Sequence, residues 1–171
     1  MSHPWQLDFV ASVKDRHPEF FSNAKVLEVG SLDINGSIRM FFTNCDYTGV
    51  DLGPGRGVDL VSKGEDLTFP DGAFDATASC ECFEHNEKWL ETFTNMVRMT
   101  RPGGLVFFTC ATTGRPEHGT RRTTPGDAPY CTDYYKNLVA EDFSNLVEDF
   151  KHYEFSTYKQ DLRFYGIKKP V

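Results

Sequence analysis

Residues 25–31 read KVLEVGS and residues 46–52 read DYTGVDL. The first run, apolar apart from Lys25 and Glu28, suits a buried parallel strand from Lys25 to Val29 that ends in a turn at Gly30. The second run, Tyr47 to Val50, ends on Asp51, 21 positions after Gly30. An acid near that spacing accepts hydrogen bonds from a ribose. Glycines at the turn, Gly30 and then Gly36, let a ligand approach the backbone closely. Each feature alone also reads as an ordinary turn or a surface acid. Together they point to a nucleoside at the carboxyl ends of parallel strands.

The same alternation continues outward. Trp5, Phe9, Val10 and Val13 recur at helical spacing near the start. A short helix is expected after Gly36, a third strand over Val58 to Val61, and a fourth over Phe74 to Ser79. Trp89, Leu90, Phe93, Met96 and Val97 form the apolar stripe of a helix that stops before Pro102-Gly103-Gly104. Leu105 to Cys110 reads as a fifth, fully buried strand. A polar loop, Ala111 to Thr132, is long enough to suggest a function. Phe143, Leu146, Val147 and Phe150 predict one more amphipathic helix. Tyr153 to Tyr158 and Leu162 to Ile167 should close the chain as an antiparallel hairpin. The expectation is a single domain over residues 1–171, an α/β fold. Its sheet is doubly wound, seven-stranded and mostly parallel, with a C-terminal antiparallel hairpin.

Composition narrows the function. The chain has 171 residues, 39% hydrophobic and 25% charged, which is the ordinary globular range. A net charge of −7 argues against a nucleic-acid partner, because phosphate binding leans on Lys and Arg clusters. No apolar run reaches the ~20 residues of a membrane span, and MSHPWQLDFV carries no secretory pattern. The five cysteines, at 45, 80, 82, 110 and 131, show no framework or metal spacing and read as free thiols in a reducing cytoplasm. His3, His17, His85, His118 and His152 are scattered, so no metal site is expected.

Five stretches then carry a resemblance: VLEVGS (26–31), YTGVDL (47–52), EDLTFPDGAFDATASCECFEH (65–85), MTRPGGLVFFT (99–109) and, weakly, DYYKNLVAEDFSNLVEDF (133–150). In order and spacing the chain resembles class I methyltransferases that use S-adenosylmethionine (SAM). It is similar to the small methyltransferase-domain subgroup of ubiquinone-biosynthesis type. The resemblance implies a Rossmann-like methyltransferase fold, SAM as cofactor and S-adenosylhomocysteine as product. It implies that Gly30 and Ser31 line the methionine end of SAM and that Glu28 and Leu32 belong to the cofactor-binding set. Asp51 would hold the ribose, with Leu52 beside the adenine. Cys80 would touch the methionyl part through its backbone, and His85 would sit near the methyl group or the substrate. Three departures stand out. Leu32 occupies the place of the family's second glycine. Lys63 occupies the place of its adenine-binding acid, so Glu65, Asp66 or a backbone carbonyl would have to serve, with Lys63 and Gly64 still in the cofactor-binding set. No inserted substrate-capping domain is present.

A hydroxyl acceptor needs a base, and His is the natural one near neutral pH. His85 and His118 compete for that role. Arg115, Arg121 and Arg122 suit an anionic substrate group or a solvated patch. Tyr130, Asp133, Tyr134 and Tyr135 are further lining candidates. The expected acceptor is a small molecule or a saccharide, methylated at oxygen. Two other readings stay open: a non-catalytic SAM-binding or interaction module, and a nicotinamide-dependent oxidoreductase, against which the missing GxGxxG counts.

Overall fold

The computed structural model describes residues 4–170, which leaves His3 outside. The chain forms helix α1 (Pro4–Arg16), strands β1 (Lys25–Val29), β2 (Asp46–Asp51), β3 (Leu60–Val61) and β4 (Phe74–Cys80), and helix α2 (Trp89–Met99). Strands β5 (Thr100–Ala111), β6 (Phe150–Tyr158) and β7 (Asp161–Lys168) follow. One sheet runs in the order β3-β2-β1-β4-β5-β7-β6. The first five strands are parallel to their neighbours, and β7 pairs antiparallel with both β5 and β6. This is the seven-stranded mixed sheet expected from the sequence.

Alternation along the strands explains why both faces are covered. In β1, Val26 faces one core with Phe9, Val10 and Val13 of α1, whereas Leu27 and Val29 face the other with Phe93, Met96 and Val97 of α2. In β5, Leu105 and Phe107 join the α1 side, and Val106 and Phe108 the α2 side. Phe108 lies 4.7 Å from Phe143, 5.1 Å from Phe164 and 5.0 Å from Phe83, ring centre to ring centre.

The helical cover is thinner than the sequence suggests. Among the described residues only α1 and α2 are α-helices. The expected helix after Gly36 is a 3-10 turn, Ile38–Phe41, capped by the Ser37 hydroxyl, which accepts from the Arg39 amide. The expected helix through Phe143 and Phe150 does not form. Ala140–Phe143 is a 3-10 turn, and further turns lead straight into β6 at Phe150. Ser144 and Asn145 are poor helix residues there. The Phe150 ring is also claimed by the sheet: a Cβ on Gly166 would stand 2.5 Å from it, so Gly166 makes its seat. Strand β3 shrinks to Leu60–Val61 because Val58 is taken up in a turn, its amide donating to the Gly55 carbonyl. Leu90, placed in the buried stripe of α2, is exposed.

Replacing Phe108 with Ala empties the centre of the ring cluster. A loss of about 3–5 kcal/mol is expected, read as a lower urea midpoint at unchanged slope. A loss below about 1 kcal/mol would show that the cluster is not the main core.

Candidate functional site

Strand order reverses between β1 and β4, and in such sheets ligands bind where this happens, beyond the carboxyl ends. A cavity of about 200 Å³ opens there. Its first wall comes from the turn after β1. Gly30 adopts φ +83°, and a Cβ on it would lie 2.6 Å from the Cβ of Cys82, so only glycine fits. The Gly30 and Ser31 amides both donate to the Val50 carbonyl, at 2.8 and 3.0 Å.

Asp51 pins the next part of the wall. One carboxylate oxygen accepts from the Leu32 amide at 2.9 Å, the other from the Leu52 amide at 2.8 Å. Burial raises its pKa while these two donors oppose the shift. Ser62, Lys63, Gly64 and Glu65 continue the wall. The Asn95 side chain of α2 holds this stretch by donating to the Gly64 carbonyl at 2.8 Å, and the Thr92 hydroxyl donates to Glu65 at 3.1 Å.

The opposite wall comes from the end of β4 and from the long loop. Glu81, a non-glycine residue at φ +54°, lines the cavity with Cys82, His85, Asn86, Glu87 and Lys88. Such a conformation costs about 1–3 kcal/mol and is typically held only where the surroundings impose it. Asp127, Ala128, Pro129, Cys131 and Thr132 of the loop complete the enclosure. Tyr130, also at positive φ (+72°), lays its ring against Gly53 and donates its hydroxyl to the Pro54 carbonyl at 3.1 Å. The loop therefore spans the cavity and rests on the far side.

The cavity thus gathers Gly30, Leu32, Asp51, Leu52, Lys63, Gly64, Glu65 and His85 from the residues singled out in the sequence. Three others stand behind its wall. Glu28 sits on the α1 side of the sheet and accepts a hydrogen bond from the Tyr47 hydroxyl at 2.7 Å. Cys80 is buried in the same α1-side core. Ser31 is buried, and its hydroxyl has no partner. Period-two alternation explains Glu28 and Cys80: each lies on the face turned toward α1.

His118 lies beside His85, ring centres 4.8 Å apart and nearly perpendicular, and Tyr135 packs against both. Burial and the neighbouring His118 push the pKa of His85 down to about 4. Its predecessor Glu84 is fully buried. It accepts from the Ala111 amide at 3.2 Å, and burial beside Glu81 raises its pKa. One letter separates Glu84 from His85 in sequence, yet nothing there signalled that it would be buried.

The arginines do not serve the cavity. Arg115 is committed to buried Asp161 at 2.7 Å and lies 3.7 Å from Glu81. Arg122 pairs with Glu117 at 2.8 Å, and Arg121 is exposed, its amide bonded to Asp133. The charge run that suggested an anion site is thus largely an internal brace for the loop. Sequence reasoning also missed Cys82, Asn86 and, apart from Tyr130, the segment 127–132, at which loop length hinted.

Comparison with known proteins accords with this geometry. Residues 27–108 match a family model described as a methyltransferase domain. No curated protein matches the chain. Among solved structures, the chain resembles the 1,6-didemethyltoxoflavin-N1-methyltransferase of Burkholderia thailandensis, bound to its substrate and S-adenosylhomocysteine. The TM-score is 0.66 at 12% identity, over 95% of this chain and 78% of that one. It also resembles phosphoethanolamine N-methyltransferase 2 of Haemonchus contortus in complex with SAM (TM-score 0.67, 16% identity, 96% of this chain). There it spans only 53% of the larger chain. A third neighbour is the [4+2]-cyclase SpnF, with a TM-score of 0.68 at 14% identity, over 99% of this chain and 84% of that one. At these identities the likeness establishes the fold.

The buried carboxyl of Glu28 gives a pH test. Burial pushes its pKa up to about 7, against an ordinary value of 4.5. Between those values the folded chain holds a proton that the unfolded chain has lost. Its contribution to stability is therefore full below about 4.5 and lost as pH rises through about 7. Glu28→Gln should flatten the fall in Tm of the parent protein between pH 5 and 7. Parallel Tm curves for parent and variant would show that Glu28 does not titrate there.

Proposed function

We infer that this chain is a SAM-dependent methyltransferase, as its domain signature and its fold support, and that it transfers the methyl group to a small-molecule or saccharide acceptor at oxygen. The observation that carries the reading is the bare backbone of Gly30 facing Asp51 across the tips of β1 and β2. The residues there suit SAM. Glycine at position 30 lines the cavity with bare backbone where Cys82 leaves no room for a Cβ. Asp51 retains lone pairs for the ribose hydroxyls beyond the two it gives to backbone amides. Leu52, Lys63, Gly64 and Glu65 form the adenine side. Glu65, already bonded to Thr92, replaces the acid missing at Lys63.

Bound there, SAM supplies an electrophilic methyl group. The protein's task is then alignment, since holding reactants in line supplies much of the rate. His85, on the wall opposite Asp51, forms the acceptor end, and His118, which does not itself line the cavity, packs against it. With its pKa near 4, His85 is neutral at pH 7 and offers a lone pair to an acceptor O–H. As a base it is weak, so its service is chiefly to orient that hydroxyl. The cavity mouth carries Asn86, Glu87 and Lys88, which fit a polar acceptor. A net charge of −7 disfavours nucleic acid, and the five free thiols fit a cytoplasmic setting. No helix among the described residues is long and apolar enough to cross a membrane.

One observation favours a second reading, the fold used without methyl transfer: a cyclase shares nearly the whole architecture. A methyl-transfer screen over phenols, sugars, sugar nucleotides and small acids separates the two.

Calorimetric titration with S-adenosylhomocysteine should show binding, weakened by about 1–3 kcal/mol in Asp51→Ala, roughly 5- to 150-fold in Kd. Equal affinity would remove Asp51 from the site, and no binding at millimolar ligand would remove the cofactor assignment. On an acceptor found in the screen, His85→Ala and His118→Ala should each lower kcat at least about tenfold, with affinity for S-adenosylhomocysteine nearly unchanged. Full turnover in both would end the acceptor-end assignment.

A further inference from the structure

At the acceptor end of the cavity, two buried polar atoms have no partner: Oε2 of Glu84 and Nδ1 of His85. Glu84 is fully buried and His85 is 6% exposed. Leaving such atoms unsatisfied costs about 1–3 kcal/mol each. The same two side chains and His118 bring one ligating atom apiece to within 4.8 Å of one another.

We propose that Glu84, His85 and His118 form a binding site for a divalent first-row transition-metal ion of the zinc class. The ligand set, one carboxylate and two imidazoles, suits borderline ions better than magnesium or calcium, which prefer oxygen alone. The supporting contacts already orient the ligands. The Nδ1 of His118 lies 3.1 Å from the Pro116 carbonyl, and donation there leaves Nε2 with its lone pair free. The Ala111 amide holds Oε1 of Glu84, which turns the other oxygen toward the histidines.

Zinc bonds of about 2.1 Å separate tetrahedral donors by roughly 3.4 Å. Closing the set therefore asks for a modest contraction. His118 is half-buried on a loop, so it is the ligand free to supply that movement. His85 lines the cavity, so an open coordination position would face the acceptor. An ion there polarises an acceptor oxygen and lowers its pKa, which a weakly basic His85 does not achieve unaided. That role rests on the methyltransferase reading, whereas the binding itself does not.

The full chain, freed of metal by a chelator and desalted, is titrated with zinc chloride by calorimetry and with cobalt(II) by visible absorption. One ion per chain is expected for the parent. His118→Ala and Glu84→Gln should each weaken it at least about tenfold. Circular dichroism checks that the variants fold. His118→Ala decides the matter if Glu84→Gln does not fold, because its side chain stands on a loop outside the core. Absent stoichiometric binding, or equal affinity in His118→Ala, overturns the proposal. So do intense near-ultraviolet cobalt–thiolate bands, which would place the ion on Cys82 and Cys131. S-adenosylhomocysteine titrations of the same samples report separately on the cofactor assignment.

Discussion

Everything at the cavity depends on how closely β1 and β4 approach at their tips. Gly30 and Cys82 meet so tightly that a single methyl group at position 30 would collide with the cysteine side chain. That contact lets the turn after β1 fold back, so that the Gly30 and Ser31 amides reach the Val50 carbonyl. The turn in turn presents the Leu32 amide to Asp51. A carboxylate that grips two backbone amides fixes the spacing of β1 and β2 at the edge where the nucleoside is proposed to sit. The sheet beneath is stiff because aromatic rings fill its α2 face around Phe108. A rigid floor with a tightly closed seam is what positions reactants without reorganisation.

Much of this was legible in the residue pattern. The run from Lys25 to Val29 ends where the strand ends, and Asp51 closes β2 as its spacing implied. The continuous apolar run of Leu105 to Cys110 announced a strand covered on both sides. Failures arose where tertiary demands override local periodicity. Phe143, Leu146, Val147 and Phe150 keep helical spacing, but Phe150 is drawn into β6 by the hollow over Gly166. Arg115 resembled a substrate clamp because its partner, Asp161, is 46 residues away in sequence. The grouping of Glu84, His85 and His118 was equally hidden, since it joins the end of β4 to a loop more than 30 residues later. Side chains such as Glu28 show a subtler limit. Its position in the motif was correct, yet the period of the strand turns its carboxyl to Tyr47.

The two ends of the cavity are therefore built on different principles. The end proposed for the nucleoside uses backbone, one carboxylate and a glycine, features that a motif can encode. The acceptor end uses buried ionisable groups drawn from distant segments, including a glutamate whose carboxyl burial keeps protonated more readily than usual. Relatives sharing the fold act on a toxoflavin precursor and on phosphoethanolamine, and one is a cyclase. Such variety follows when the sheet fixes the first end and loops supply the second.

The strut formed by Tyr130 links the two sides of the cavity. Its hydroxyl bond to Pro54 crosses from the loop to the exit of β2, and the same loop carries His118. Under the proposed function, a displacement of the loop that opens the nucleoside end would break that bond and carry the loop away from Gly53. It would also disturb the contact of His118 with His85, so that departure of one product and readiness for the next acceptor would be coupled through a single phenol.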